Sequence, residues 1–366
     1  IGGCTSLIAK ECMEVQPVRK KSRKNHKRIV FGKQPLMVFS SFVTHPVTGF
    51  TLDEIAERVN FQFLEELAPL RSVRGRPPLP FVALCKMLFV LFCERLPSLT
   101  ELSRKLASDD RLRDFCGFQK GKTPSKQKIS DFLIRLPEER QRAMFATFHK
   151  QLQRVEYVEN NTASVDACVY RTVNKRADRP KIEKRNNETG HMKQVHGIKQ
   201  VTVVLAQRGI CSGFITDFEG RHDSIYYEDV LEQTVEHGYT FNNTAADKAF
   251  DSNTLRWNTL LHFGAQAVIP KREYKKNKKA GEEKKHRTRR RNSPNFPTTH
   301  EQAVYNDRTA VERYYYKMEI PLGLAKLKTK RDESGATLLV FANMFDVICR
   351  TVHLYKTLEG AMVPLT

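Results

Sequence analysis

The chain has no CxxC pair and no cluster of cysteine with histidine, although it holds eight cysteines. They stand singly at positions 4, 12, 85, 93, 116, 168, 211 and 349, most of them inside apolar runs. That spacing offers neither a paired-cysteine zinc module nor a disulfide framework, and it suits a reducing cytoplasm. Long apolar runs are also scarce. The most apolar one, Leu79 to Cys93, contains Lys86 and is too short to span a bilayer, so it reads as a buried helix. The opening IGGCTSLIAKE carries neither a methionine nor the apolar region of a signal peptide. Gly3-Cys4 lacks the apolar stretch that precedes a lipoprotein cleavage site, and a truncated or processed reading frame is the expectation.

Acidic residues are the third shortage. The 62 Lys+Arg outweigh 41 Asp+Glu, for a net charge of +21. An excess of that size points to a polyanionic partner, nucleic acid first and an anionic membrane surface second, with solubility alone as the bland reading. Apolar residues are ample, at 40% with 22 Phe, so a folded protein carrying basic tracts is expected. Its 366 residues suffice for two domains, or for one large domain with an appendage.

Residues 1–48 read as a poorly ordered basic segment, with seven Lys/Arg between Arg19 and Arg28. Residues 49–157 read as an all-helical domain of about five helices, which either binds DNA or braces the next domain. In it, GRPPLP breaks the chain at 75–80 and Ser98 caps SLTELSRKL, with Glu101 three residues on. Thr123 is the expected cap of a further helix, with Pro124 in its first position. Residues 158–366 change to β periodicity. The expected strands are 163–170, 198–206 and 210–217, with a turn at 207–209 joining the last two. A basic loop separates the first two strands. A helix follows from Asp223 or Ser224 to Gly238, then a strand ending at Asp247, a helix over 251–262 and the strand 265–270. The chain closes with a helix bearing Glu312 and an apolar helix over 335–355. Within the basic loop 271–300, Lys271 to Arg291 holds twelve Lys/Arg and three Glu. That stretch cannot form a core, so it is expected as an exposed loop against DNA, including Lys275, Lys276, Arg289 and Arg290.

Chemistry concentrates in VYNDRTAVERYYYK. Tyr305, Arg308 and Glu312 fall at i, i+3 and i+7, which on one helix places all three on one face. A phenol, a guanidinium and a carboxylate so aligned face a partner rather than a core. Upstream, Asp166 sits inside the apolar run SVDACVY, and Asp247 ends another in TAADKAF. Two strand-borne carboxylates and one helix-borne carboxylate can together hold divalent metals for phosphoryl transfer. Each also has a bland reading. Asp166 could be a satisfied buried polar residue and Asp247 the cap of a following helix. Glu312 could pair with Arg308 at i,i+4 for a few tenths of a kcal/mol. Asp178, Asp217, Asp223 and Asp251 are the competing acids, none as well placed in a strand.

This order of elements and acids resembles the RNase H-like core of DDE transposases, and more closely the bacterial insertion-sequence transposases of that family. The matching residues are Asp166 in SVDACVY, His196-Gly197-Ile198-Lys199, the turn Gly220 to Ser224, Ala246 to Ser252, and Tyr305, Arg308 and Glu312. Ala249 stands where the family has glycine, and Glu319 stands at its lysine position, with Lys317 and Lys326 nearby as substitutes. GRPPLP, SLTELSRKL and TPSKQKISDFL resemble the family's helical domain, so the likeness runs from about 52 to 356. It implies an α/β fold, an RNase H-like mixed sheet flanked by helices and preceded by an all-helical N-terminal domain. It implies Asp166, Asp247 and Glu312 as catalytic residues holding two Mg²⁺, for which Mn²⁺ can substitute. Tyr305, Arg308, Lys317 and Lys326 become DNA contacts, and His222 a candidate proton shuttle. The implied partners are double-stranded DNA at the element's terminal inverted repeats and target DNA. The same likeness implies a homodimer in the DNA complex, no membrane, and a bacterial cytoplasmic, nucleoid-associated location. The implied activity is Mg-dependent cleavage and strand transfer. A nuclease of the same fold and a DNA-binding protein descended from a transposase are the alternatives.

Overall fold

Thr51 starts the first helix through a capping box: its hydroxyl accepts from the Glu54 amide at 3.2 Å, while Glu54 Oε2 accepts from the Thr51 amide at 2.8 Å. The structure is a computed structural model and describes residues 50–69, 79–155, 162–173, 181–185, 191–271, 296–327, 329 and 331–361. The expected basic segment 1–48, Gly75 to Pro78 of the chain break, Asp178, and Lys275, Lys276, Arg289 and Arg290 of the basic loop lie outside the described residues. Residues Thr44–Thr366 make one compact unit.

The helical layer comprises α1 (Leu52–Arg58), α2 (Phe63–Glu66), α3 (Phe81–Cys93), α4 (Leu99–Ser108), α5 (Asp110–Cys116), α6 (Lys126–Arg135) and α7 (Glu138–Val155). Seven helices are described where periodicity suggested about five, because α2 and α5 are too short to show a repeat. Ser98 caps α4 as expected, accepting from the Glu101 amide at 3.2 Å. The start of α6 is a correction. Ser125 is its cap, accepting from the Lys128 amide at 3.4 Å, and Pro124 stays outside with its carbonyl held by Ser103 Oγ at 2.9 Å.

The sheet is built from β1 (Thr162–Thr172), β4 (Gly197–Leu205), β5 (Ile210–Asp217), β6 (Asn243–Ala246), β7 (Gln266–Val268) and the short β8 (Lys326–Leu327). Its order is β5-β4-β1-β6-β7, with β8 against the end of β1. The first three strands are antiparallel neighbours, while β6 and β7 run parallel to β1. Parallel strands need crossovers, supplied here by α8 (Tyr227–Glu236) and α9 (Asn253–Phe263). This is the mixed, RNase H-like sheet flanked by helices that the sequence predicted. The stretch between β1 and β4 is a correction: part of it forms an antiparallel ribbon, β2 (Ile182–Arg185) with β3 (Met192–Val195).

Alternation along the strands decides which helix meets which face. Val165, Val201 and Val203 point into a core with Tyr227, Val230 and Leu231 of α8. Gly213 on β5 lets α8 come close, since a Cβ there would collide with the Val230 carbonyl. The opposite face, with Tyr170 and Ile198, meets α11 (Thr309–Glu319) and α12 (Asp332–Ala361). α12 is shared with the helical layer: Phe89 of α3 packs on Phe341 and Phe345 at 5.5 and 6.4 Å between ring centroids. By length and composition, Asp332–Glu359 could cross a membrane, but 94% of its most apolar window is buried inside the unit, so its apolar faces are core.

A buried histidine pair joins α7 to the sheet. His149 is fully buried, its Nδ1 lies 2.8 Å from Tyr239 Oη, and its ring stacks on His237 at 5.1 Å. Burial lowers the pKa of both rings, and for His149 the neighbouring His237 adds to the effect. The folded protein therefore holds them neutral. As pH falls below about 6.5, the unfolded chain takes up protons that the folded chain refuses, and stability is lost by up to about 1.4 kcal/mol per pH unit for each ring. His149→Gln, which can still meet the Tyr239 hydroxyl, should flatten the acid limb of a denaturation-versus-pH profile by roughly one proton. An unchanged limb would remove the pair from the acid response.

Candidate active site

β1 and β6 are parallel, with Val165 opposite Ala246. The next residue in each case is an aspartate, Asp166 within β1 and Asp247 just past the end of β6, and the two are near enough for the charge of Asp247 to act on the Asp166 carboxyl. Asp166 faces the α11 side of the sheet. Its Oδ1 accepts from the Ala167 amide at 2.8 Å, and its side chain is 22% exposed. Burial pushes its carboxyl up to about 7. The Ala167 amide and Arg308 oppose that rise, and Asp247 and Glu312 add to it. Asp247 accepts from the Ala249 amide at 2.6 Å and so caps a short 3₁₀ turn, Lys248–Phe250. The bland capping role is therefore present, on this turn rather than on the later helix.

The third acid arrives on a broken helix. α10 (Thr299–Asn306) ends before Asp307, and α11 begins at Thr309, so the single helix expected through Tyr305, Arg308 and Glu312 is divided at 307–308. Ser164 Oγ on β1 donates to the Asp307 carbonyl at 3.0 Å and ties the break to the sheet. The three side chains still converge. Arg308 places Nη2 2.5 Å from Glu312 Oε1 and Nη1 3.5 Å from Asp166 Oδ2, and its guanidinium lies 5.6 Å from the Tyr305 ring centre. Tyr305 in turn packs on Phe296 at 4.9 Å. Glu312 is the more exposed partner, at 52% against 20% for Arg308.

Tyr315, one turn beyond Glu312, was not singled out by sequence because it occupies the buried stripe of α11 with Val311 and Met318. Its hydroxyl donates to the Asp166 carbonyl at 2.6 Å and reaches the Gln200 carbonyl at 3.3 Å. It therefore fixes α11, and with it Glu312, against the strand bearing Asp166. Tyr315→Phe should cost about 1–2 kcal/mol in a denaturant melt and slow any chemistry at the site. Unchanged stability would show that the hydroxyl anchors nothing.

The other expected residues are placed as follows. Lys317 turns inward to Asp346 on α12 and lies over the Tyr314 ring. Lys326 is exposed on β8. Glu319 accepts from Lys184 Nζ at 2.7 Å, and the same ammonium reaches the Val169 carbonyl at 2.6 Å. A cation thus does stand beside Glu319, but it comes from the ribbon and not from Lys317 or Lys326. No sequence signal marked it, since the ribbon read as a loop. Among the competing acids, Asp217 is buried and accepts from the Glu219 and Arg221 amides, Asp223 pairs with Lys199, and Asp251 pairs with Arg256. His222 caps its own turn, its Nδ1 accepting from the Ser224 amide at 3.3 Å.

The resemblance implies divalent metal, and the donor chemistry fits it: three hard carboxylate oxygen donors on one face. The guanidinium of Arg308, lying between Asp166 and Glu312, shows that positive charge is favourable there. Among the described residues, however, no group of three or more His, Cys, Asp or Glu is gathered tightly enough to hold a metal ion. Arg308 occupies the interval that the third ligand would have to close.

Fold and site together define a mixed α/β protein with an RNase H-like strand order and a helical layer on one side, bearing one aspartate within a strand, one just past a strand end and a helix-borne glutamate. Residues 41–135 match the family model described as a transposase domain (DUF772). None of the curated proteins compared matches the chain. Among solved structures, the chain is similar to the piggyBac transposase in a synaptic complex with hairpin DNA. That likeness has 15% identity and a TM-score of 0.44, over 89% of this chain and 75% of that one. It is also similar to the Mos1 transposase in a paired-end complex with the left transposon end, at 10% identity and TM-score 0.20, over 71% of this chain and 83% of that one. Neither superposition is close enough to define the fold, which is read from the strand order instead.

Proposed function

We propose that this protein is a DNA transposase of an insertion sequence. It cuts DNA at the element's terminal inverted repeats and joins the freed 3′-hydroxyl ends to target DNA. The observation that carries this reading is the side-by-side placement of Asp166 and Asp247, with Glu312 brought to the same face through Arg308. Asp166, Asp247 and Glu312 would hold two Mg²⁺, or Mn²⁺ in their place. When bound, these ions activate water or a 3′-hydroxyl and stabilise the leaving oxygen. In the first step a water oxygen bonds to phosphorus and the bond to the 3′-oxygen breaks, leaving a 3′-hydroxyl. In the second, that oxygen bonds to a target phosphorus and displaces the target's own 3′-oxygen, which takes up a proton as the attacking hydroxyl gives one up.

The chain's own groups divide this work. Asp166, held by the Ala167 amide and backed by Tyr315, is the fixed ligand, and Asp247 is fixed by its turn. Glu312 is exposed enough to swing in once Arg308 leaves. Arg308 then has a phosphate beside the cut to bind, which exchanges one anionic partner for another. Tyr305 supports that guanidinium from below. The helical domain 49–157 and the basic residues within 271–300 would add cationic contacts to DNA bound at the catalytic part 158–366, and two copies would act together on two ends. A DNA-binding protein without chemistry is the second reading, and the Arg308 bridge that keeps the acids apart is what favours it.

The test incubates the purified protein with Mg²⁺ and labelled DNA bearing the repeats that flank its own gene, beside Glu312→Gln. Nicks at the repeat ends with joined products, both lost in the variant, are the expected result. Cutting without joining would indicate a nuclease, and binding without metal-dependent chemistry would leave the second reading.

A further inference from the structure

Several cations described on the helical layer's surface are neutralised locally. Arg58 pairs with Glu57 and Glu359, Arg104 with Glu101, Arg111 with Glu94, and Arg142 with Glu138. The stretch from Gln119 to Lys128 departs from this pattern. It holds Lys120, Lys122, Lys126 and Lys128, all exposed, and among the described residues no carboxylate pairs with any of them. Lys122 Nζ donates only to the neutral Gln119 side chain, at 2.7 Å.

These lysines are displayed on ordered backbone. Gly117 ends α5 in the left-handed conformation, and Phe118 is buried behind it. The Lys122 amide then donates to the Gln119 carbonyl at 2.9 Å, closing a tight turn with Gly121 at φ +75°, a conformation that glycine adopts without strain. Pro124 is buried and its carbonyl is bound by Ser103, after which Ser125 caps α6. On α6, Ile129 and Leu133 face inward, leaving Lys126 and Lys128 of the first turn exposed, with Arg135 exposed at the far end. Four like charges within nine residues repel one another, and a fixed turn denies them the freedom to spread. Evenly spaced anions relieve that repulsion, and a nucleic-acid backbone supplies them.

We propose that the turn 119–122 and the start of α6 form the surface by which the helical layer grips the phosphate backbone of duplex DNA. This rests on the transposase reading above and adds to it a DNA-contacting element separate from the three acids.

The test measures binding of the full chain to a fluorescein-labelled mixed-sequence duplex of about 30 bp, by anisotropy, across about 50 to 200 mM salt without metal. Three variants are compared with the parent: Lys120, Lys122, Lys126 and Lys128 all to Ala; the double Lys120→Ala/Lys122→Ala; and a control of matched charge, Arg104, Arg111, Arg142 and Lys356 all to Ala. Thermal melts confirm that each is folded. Each lost phosphate contact removes about 0.9 from the slope of log affinity against log salt. The quadruple lysine variant should therefore lose about 3–4 of that slope, the double about half as much, and the control less than about 1. Equal losses in the lysine and control quadruples would show that only net charge matters, and an unchanged slope in the lysine variants would show that this surface does not touch DNA. Either result overturns the proposal and leaves the transposase reading standing. A parent protein that binds no duplex at all would overturn both.

Discussion

Asp166→Asn should abolish the proposed DNA cleavage and, at about pH 8 without divalent metal, should melt at a higher temperature than the parent. Both halves have one cause. The folded carboxyl sits at about 7, above its ordinary value of 3.8, chiefly because burial penalises its charge. For an acid raised in this way, the folded state holds a proton that the unfolded state has released. Stability therefore falls as pH rises from about 3.8 to about 7, and the full penalty remains above that window. Asparagine never ionises, yet it can still accept from the Ala167 amide, so it relieves the penalty. Allowing for the partial exposure of the side chain, the gain is on the order of 2 kcal/mol. Mg²⁺ or Mn²⁺ should raise the parent's melting temperature by pairing the charge, and should raise the variant's much less. Loss of an outer partner of a metal ligand costs about 10–100-fold in activity, so loss of the ligand itself should exceed about 100-fold. A variant that melts lower than the parent in metal-free buffer would refute the electrostatic account of the site.

Lys317→Met should destabilise the protein by about 3 kcal/mol and leave the salt dependence of DNA binding unchanged. The reason is its partner: Asp346 is nearly buried, at 5% exposure, and Lys317 carries the neutralising charge at 20%. Breaking a buried pair from one side costs about 3–5 kcal/mol, because the remaining charge is left without compensation. Replacing both sides, as in Lys317→Met with Asp346→Leu, should recover most of the loss. Denaturant midpoints of the two variants and the parent measure this directly. If Lys317→Met instead kept its stability and lost salt-dependent affinity, the residue would be a DNA contact, as its place in the sequence suggests.

That contrast shows where the sequence was legible. The strands holding Asp166 and Asp247 announced themselves as short apolar runs, and the register of β1 with β6 then sets the two acids beside each other. The break between α10 and α11 could not be foreseen. No glycine or proline marks it, and it is held from a distance by Ser164 on another element. The ribbon of β2 and β3 was invisible for a different reason. Half of its residues are charged and it pairs outside the main sheet, so no period-2 apolar pattern survives. With the ribbon unseen, Lys184 could not be matched to Glu319. Lys317 illustrates the general limit. A lysine beside the buried stripe of α11 looks solvent-facing until α12 supplies a carboxylate from across the core.

If Asp166, Asp247 and Glu312 close on divalent metal once Arg308 is drawn away to a phosphate, metal uptake depends on DNA. The most direct measurement is titration of Mn²⁺ into the protein, followed by the electron paramagnetic resonance of the free ion, with and without duplex DNA. The parent should bind weakly alone and take up two ions per chain with DNA present, and Arg308→Ala should bind more tightly than the parent when DNA is absent. Glu312→Gln and Asp247→Asn should each lose bound metal. Equal uptake by the parent and both acid variants would contradict the account.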